Sequence, residues 1–145
     1  MSAKGQMRAA FTLIELAITL CIVSILSAIA VPGAGRLLDS IHVNGAVVEI
    51  GSMFGTARHL AISRSRQTSV EIDTAARVIR VRSGGATLRE REIGRVHDVR
   101  LSATRARMEY TPTGMGYGAA NLSVVVRRND SVDTIFVSRL GRVRH

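Results

Sequence analysis

The segment from Phe11 to Val31 most constrains this chain: 21 consecutive residues in which Glu15 is the sole charged side chain. As a helix rising about 1.5 Å per residue, such a run reaches across a bilayer core of roughly 30 Å. A carboxylate inside it is costly unless something partners it, although Glu15 lies near the start, where the interface is close and a charge costs less than at the bilayer centre. The residues before Phe11 carry Lys4 and Arg8 and no acid, so this end stays cytoplasmic by the positive-inside rule. A cleaved secretory signal has an apolar core of only about 7 to 15 residues. The small residues of "SAIA", Ser27 to Ala30, still leave that alternative open: a secreted anion-binding module released after Ala30.

Beyond Pro32 and Gly33 helical periodicity resumes. Val43, Val47, Ile50, Phe54, Ala57 and Ala61 alternate spacings of four and three, which draws one apolar stripe along a helix. The pattern predicts one long helix from Phe11 to about Arg64, weakened or kinked at Pro32, where a backbone donor is missing. Its first half is apolar all round and its second half amphipathic, as suits a membrane stem whose upper part is half-covered by a globular domain. From Thr68 onward short runs rich in valine, isoleucine or alternation take over: "TSVEID", "RVIRVRS", "ATLREREI", "VRLSA", "RMEYT", "LSVVVRR" and "TIFVSRL". Turn residues separate them, among them Gly84-Gly85 and Asn129-Asp130, and serial strands of this kind pair antiparallel. The expected class is α+β, a long helix packed on one or two antiparallel sheets. If Gly84-Gly85 forms a two-residue hairpin, Arg80 faces Arg89, with Arg82 and Arg91 on the same side. "TPTGMGYGAAN" reads as a mobile glycine-rich loop, without the lysine or following helix of a nucleotide site.

Charge and chemistry narrow the function further. The net charge of +9 over 145 residues suits polyanions, nucleic acid or anionic headgroups, although a GC-rich genome also favours arginine. Cys21 is the single cysteine, which excludes an intramolecular disulfide. His42, His59, His97 and His145 are scattered without metal-ligand spacing, and no serine sits in a Gly-x-Ser-x-Gly elbow. Neither a catalytic constellation, a metal site nor a cofactor is expected, so the chain does not read as an enzyme.

"AAFTLIEL" followed by the apolar helix, with Pro32 further along, resembles the N-terminal signature of type IV pilins and pseudopilins. The resemblance implies a leader over residues 1–10, cut by a prepilin peptidase between Ala10 and Phe11, and methylation of the new Phe11 amine. Ala10 departs from the glycine usual at that position. It further implies that residues 11–35 form the transmembrane and assembly half of the helix, with Glu15 and Pro32 as assembly residues. Residues 36–145 would form a periplasmic head. In a filament, Glu15 would meet the N-terminal amine of a neighbouring subunit. "GTARHLAISRSRQTSVEID" and the ending "TIFVSRLGRVRH" resemble the GspH/FimT branch of minor pilins. In that branch a C-terminal Gly-Arg-x-Arg pattern is associated with DNA binding and natural transformation, and Gly141, Arg142 and Arg144 match it, flanked by Arg139. On an extended strand, residues 142 and 144 share a side about 6 to 7 Å apart, close to the phosphate spacing along a DNA strand. The same arginines could equally line an edge strand as a guard against aggregation. The expected partners are other pilins or pseudopilins, the prepilin peptidase, inner-membrane lipid and double-stranded DNA. Two systems stay open, a type IV pilus and, as the alternative, a type II secretion system with an H-type minor pseudopilin.

Overall fold

The computed structural model describes residues 11–117 and 121–145. Helix α1 spans Leu13–Ser63, 51 residues. It is long and apolar enough to cross a membrane by length and composition. Pro32 lies inside α1 rather than ending it, although its nitrogen cannot donate to the carbonyl one turn earlier. The chain divides into two compact units, residues 1–35 and Arg36–His145. In the first, the described residues are all exposed.

In the second unit the predicted stripe is the buried face of the helix. Val43, Val47, Ile50, Phe54, Ala57 and Ala61 are all buried, joined by Ala46 and Met53 from the same face. The strands are β1 (Thr68–Asp73), β2 (Val78–Ser83), β3 (Ala86–Arg91), β4 (Arg100–Ala103), β5 (Arg107–Tyr110), β6 (Gly116–Tyr117), β7 (Leu122–Arg128), β8 (Ser131–Val137) and β9 (Val143–Arg144), and the stripe shares a core with residues of β1, β2, β4, β5, β7 and β8. A five-residue helix α2, Ile93–His97, which the strand-rich pattern conceals, sits between β3 and β4. The strands form two antiparallel sheets, one ordered β3-β2-β1-β5-β6 and the other β4-β7-β8-β9. Val70, Ile72, Ile79 and Val81 from the first sheet and Leu122, Val124, Val126, Ile135 and Val137 from the second share one core with the helix. Burial of each such side chain contributes about 1.5 to 3 kcal/mol, so this core outweighs any surface ion pair.

One register expectation is overturned. Gly84 and Gly85, at φ 58° and 85°, do form the two-residue turn that pairs Ser83 with Ala86. A bulge between Val81 and Arg82 then shifts the ladder, so Arg80 lies opposite Glu90 and Arg89 opposite Val81. Arg80 Nε donates to Glu90 Oε2 at 2.9 Å, and the acidic neighbours Glu90, Asp73 and Glu71 raise the Arg80 pKa, Glu90 most. Arg82 and Arg107 reach Glu71 at 3.3 and 3.7 Å, and Arg107 reaches Glu109 at 2.7 Å. The outer face of the five-stranded sheet is therefore a charge-balanced network, and the expected facing of Arg80 and Arg89 does not occur.

A second polar cluster ties the start of the head's helix to the β7–β8 hairpin. Asp39 accepts from Arg128 Nε at 2.8 Å and from Asn129 Nδ2 at 2.9 Å, while Arg128 Nη1 donates to the His97 carbonyl at 3.0 Å. The Asn129 bond, with help from Arg128, holds the Asp39 carboxyl below the usual range.

Candidate functional site at the two ends of the chain

Glu15 is partnered locally. Its Oε2 accepts from the Thr12 backbone N–H at 3.0 Å and from the Thr12 hydroxyl at 2.9 Å, and the Glu15 N–H donates back to that hydroxyl at 3.2 Å. This is a capping box: a threonine at the N-cap and a glutamate three residues on satisfy each other's orphan donors. The negative carboxylate also sits at the positive end of the helix. Because Thr12 takes the cap, the helix begins at Leu13, and Phe11 precedes it rather than forming its first turn. Phe11 and Leu16 occupy the two positions of a hydrophobic staple around that cap. Thr12, absent from the sequence-based expectations, is the capping residue, and Thr-x-x-Glu before an apolar run is its signal. Ala10, at the expected cut, lies outside the described residues.

At the other end, residues 134–145 are not one strand. The Gly141 N–H donates to the Ser138 carbonyl at 2.9 Å and the Ser138 N–H to the Arg142 carbonyl at 2.9 Å, closing a three-residue hairpin between β8 and β9. Gly141, at φ 72°, takes the left-handed position that such hairpins assign to glycine. It is buried, and a Cβ there would stand 2.8 Å from the Gly114 carbonyl oxygen and 3.1 Å from a ring carbon of Tyr110. The close approach that the glycine permits is thus made by the protein's own backbone. That carbonyl also accepts from Arg58 Nε at 3.0 Å, and the Gly116 N–H donates to the Arg139 carbonyl at 2.8 Å. The described part of the expected mobile loop, through Tyr117, accordingly holds a turn at Gly114 and strand β6, while Gly118 lies outside the described residues. Beneath them, burial pushes the Tyr110 hydroxyl up to about 12.

On this braced hairpin Arg139, Arg142 and Arg144 are exposed, and among the described residues none of them joins an ion pair. Val143, between Arg142 and Arg144, is partly buried against the core, so the two arginines share the opposite, solvent side. Arg144 pairs across the ladder with Phe136, which is 54% exposed, so an aromatic face lies beside the charge. Chemically this end can neutralise successive anionic groups, with no acid from Thr134 onward to compete. Gly141→Ala is expected to cost about 1 to 3 kcal/mol through the strained backbone angle and the carbonyl contact. Leu140→Ala, on the exposed part of the same turn, is expected to stay within about 0.5 kcal/mol. Thermal unfolding of the two variants side by side measures the difference.

No protein-family model matches the sequence, and no curated protein matches it. Solved structures do resemble it. The type IV minor pilin FimU of Pseudomonas aeruginosa strain PAO1 superposes with a TM-score of 0.62 at 18% identity, over 70% of this chain and 86% of that one. The minor pseudopilin EpsH from the type 2 secretion system of Vibrio cholerae superposes with a TM-score of 0.58 at 10% identity, over 71% of this chain and 94% of that one. The fold is that of pilin-like minor pilins and pseudopilins, a long N-terminal helix packed on antiparallel sheets.

Proposed function

We propose that this chain is a minor pilin-like subunit of a type IV pilus, assembled through its N-terminal helix, with a head that contacts DNA without sequence preference. The observation that carries this reading is the junction at Phe11, Thr12 and Glu15: a capped helix start, bearing one carboxylate, opens directly into an apolar segment of membrane length. A structural, non-catalytic role accords with the likeness to FimU and EpsH. Residues 1–10 are then a cytoplasmic leader removed after Ala10 by a prepilin peptidase. Residues 11–35 lie in inner-membrane lipid until assembly, and the head is periplasmic. Arg139, Arg142 and Arg144, presented by the hairpin that Gly141 closes, are the DNA-contacting groups. Their contacts are to phosphates, so binding weakens steeply with salt.

A second reading, an H-type minor pseudopilin of a type II secretion system, draws support from the likeness to EpsH. The two share a fold and differ in partner, and the Gly-Arg-Val-Arg ending favours the pilus. Expression beside a prepilin peptidase, followed by intact-mass and N-terminal analysis, tests the common premise. The expected product begins at methylated Phe11; a product beginning at Val31 would overturn both readings.

A further inference from the structure

A cleft of about 400 Å³ lies among Arg77, Arg100, Arg127, Arg128, Asp98 and Asn129. Arg100 and Arg127 stand directly opposite each other on β4 and β7. Like charges in that position repel. Among the described residues neither forms an ion pair, and nor does Arg77. The one acid in the cleft wall, Asp98, faces Arg128 Nη2 at 3.5 Å, and Arg128 also holds Asp39. Arg77 is set in place rather than loose. Its carbonyl accepts from the Gly94 N–H at 3.0 Å, and its side chain lies so close over Gly94 that a Cβ there would meet Arg77 Nε at 2.8 Å. This contrasts with the outer face of the five-stranded sheet, where acids balance Arg80, Arg82 and Arg107.

We propose that Arg77, Arg100 and Arg127 form a phosphate-binding cleft, and that the phosphate it takes is that of an anionic phospholipid headgroup. A tetrahedral oxyanion between Arg100 and Arg127 turns their repulsion into charge-assisted hydrogen bonds, for which the planar guanidinium fork is suited. The lipid source follows from the apolar run. A chain that carries an apolar run of membrane length is held among phospholipids, whose headgroups are then the phosphates at the highest local concentration. This source rests on the membrane-anchored reading of the apolar run, whereas the cleft's affinity for phosphate does not.

The test uses the full chain in neutral detergent, comparing wild type with the R100Q/R127Q double variant and with R105Q, which removes an exposed arginine outside the cleft. Replacing chloride by inorganic phosphate at matched ionic strength is expected to raise the Tm of wild type and R105Q by a few degrees, and that of R100Q/R127Q not at all. Without phosphate, R100Q/R127Q is expected to melt no lower than wild type, because a repulsion has been removed. Native mass spectrometry with added phosphatidylglycerol is expected to show lipid adducts that fall roughly tenfold in R100Q/R127Q and persist in R105Q. Equal phosphate shifts in all three proteins overturn the cleft. A phosphate shift without lipid adducts overturns the lipid source in favour of free phosphate, and adducts with a short DNA duplex that are lost in R100Q/R127Q while lipid adducts are absent overturn it in favour of nucleic acid. Arg142 and Arg144 are intact in all three proteins, so a difference between the variants does not arise from the DNA contact proposed for those residues.

Discussion

Glu15→Ala is expected to leave the chain inserted in the membrane and to remove it from the filament. Insertion depends on the apolar run, which loses only a charge and becomes more hydrophobic. Assembly is different. In the lone chain, the Glu15 carboxylate already accepts two hydrogen bonds from Thr12, so the acid is tolerable before any partner arrives. In the proposed filament, the methylated amine of a neighbouring Phe11 meets that carboxylate away from water. Removing one partner of such a pair leaves the other charge buried and costs about 3 to 5 kcal/mol, more than a hundredfold in incorporation. Loss of the cap is the competing explanation and costs about 0.5 to 2 kcal/mol. Thr12→Ala separates the two, since it removes the capping hydroxyl and keeps the charge. Membrane fractionation and filament incorporation of both variants should show Thr12→Ala assembling and Glu15→Ala excluded. Normal incorporation of Glu15→Ala would refute the pairing, and equal exclusion of both variants would assign the effect to the cap.

Much of the head was legible because its signals are local and periodic. All six residues of the stripe from Val43 to Ala61 are buried, and most strands begin and end within a few residues of their valine-rich runs. What escaped depends on chain geometry that periodicity does not encode. The turn at Gly84-Gly85 sets register only as far as the first bulge, so the extra residue opposite Val81 and Arg82 exchanges an expected Arg80–Arg89 clash for an Arg80–Glu90 pair. Helix α2 and strands β6 and β9 are too short to produce a periodic signal. Gly141 lies in the ending "TIFVSRLGRVRH", where no periodicity marks the turn that it closes or the Gly114 carbonyl packed against it. The opposed arginines Arg100 and Arg127 lie far apart in sequence and meet only through the β4–β7 ladder.

The hairpin also sharpens what the terminal arginines should do. Arg142→Ala with Arg144→Ala is expected to abolish most of the retardation of duplex DNA by the head, Arg36–His145, at low salt. The core of that unit contains neither side chain, so the double variant should fold and melt close to wild type. Each phosphate contact contributes about 0.9 to the slope of log affinity against log salt. Losing two contacts should therefore lower both the affinity, by tenfold or more at low salt, and the slope, by roughly 1.8. Sequence should matter little, because phosphates carry no base identity. Gly141→Ala provides the complementary perturbation: it keeps both arginines and distorts the backbone that aims them, so affinity should fall with little change in charge. If the double variant retains both the affinity and the slope of wild type, the arginines serve the sheet edge rather than a polyanion, and their alternation with Val143 is only the pleat of a strand whose inner side chain meets the core.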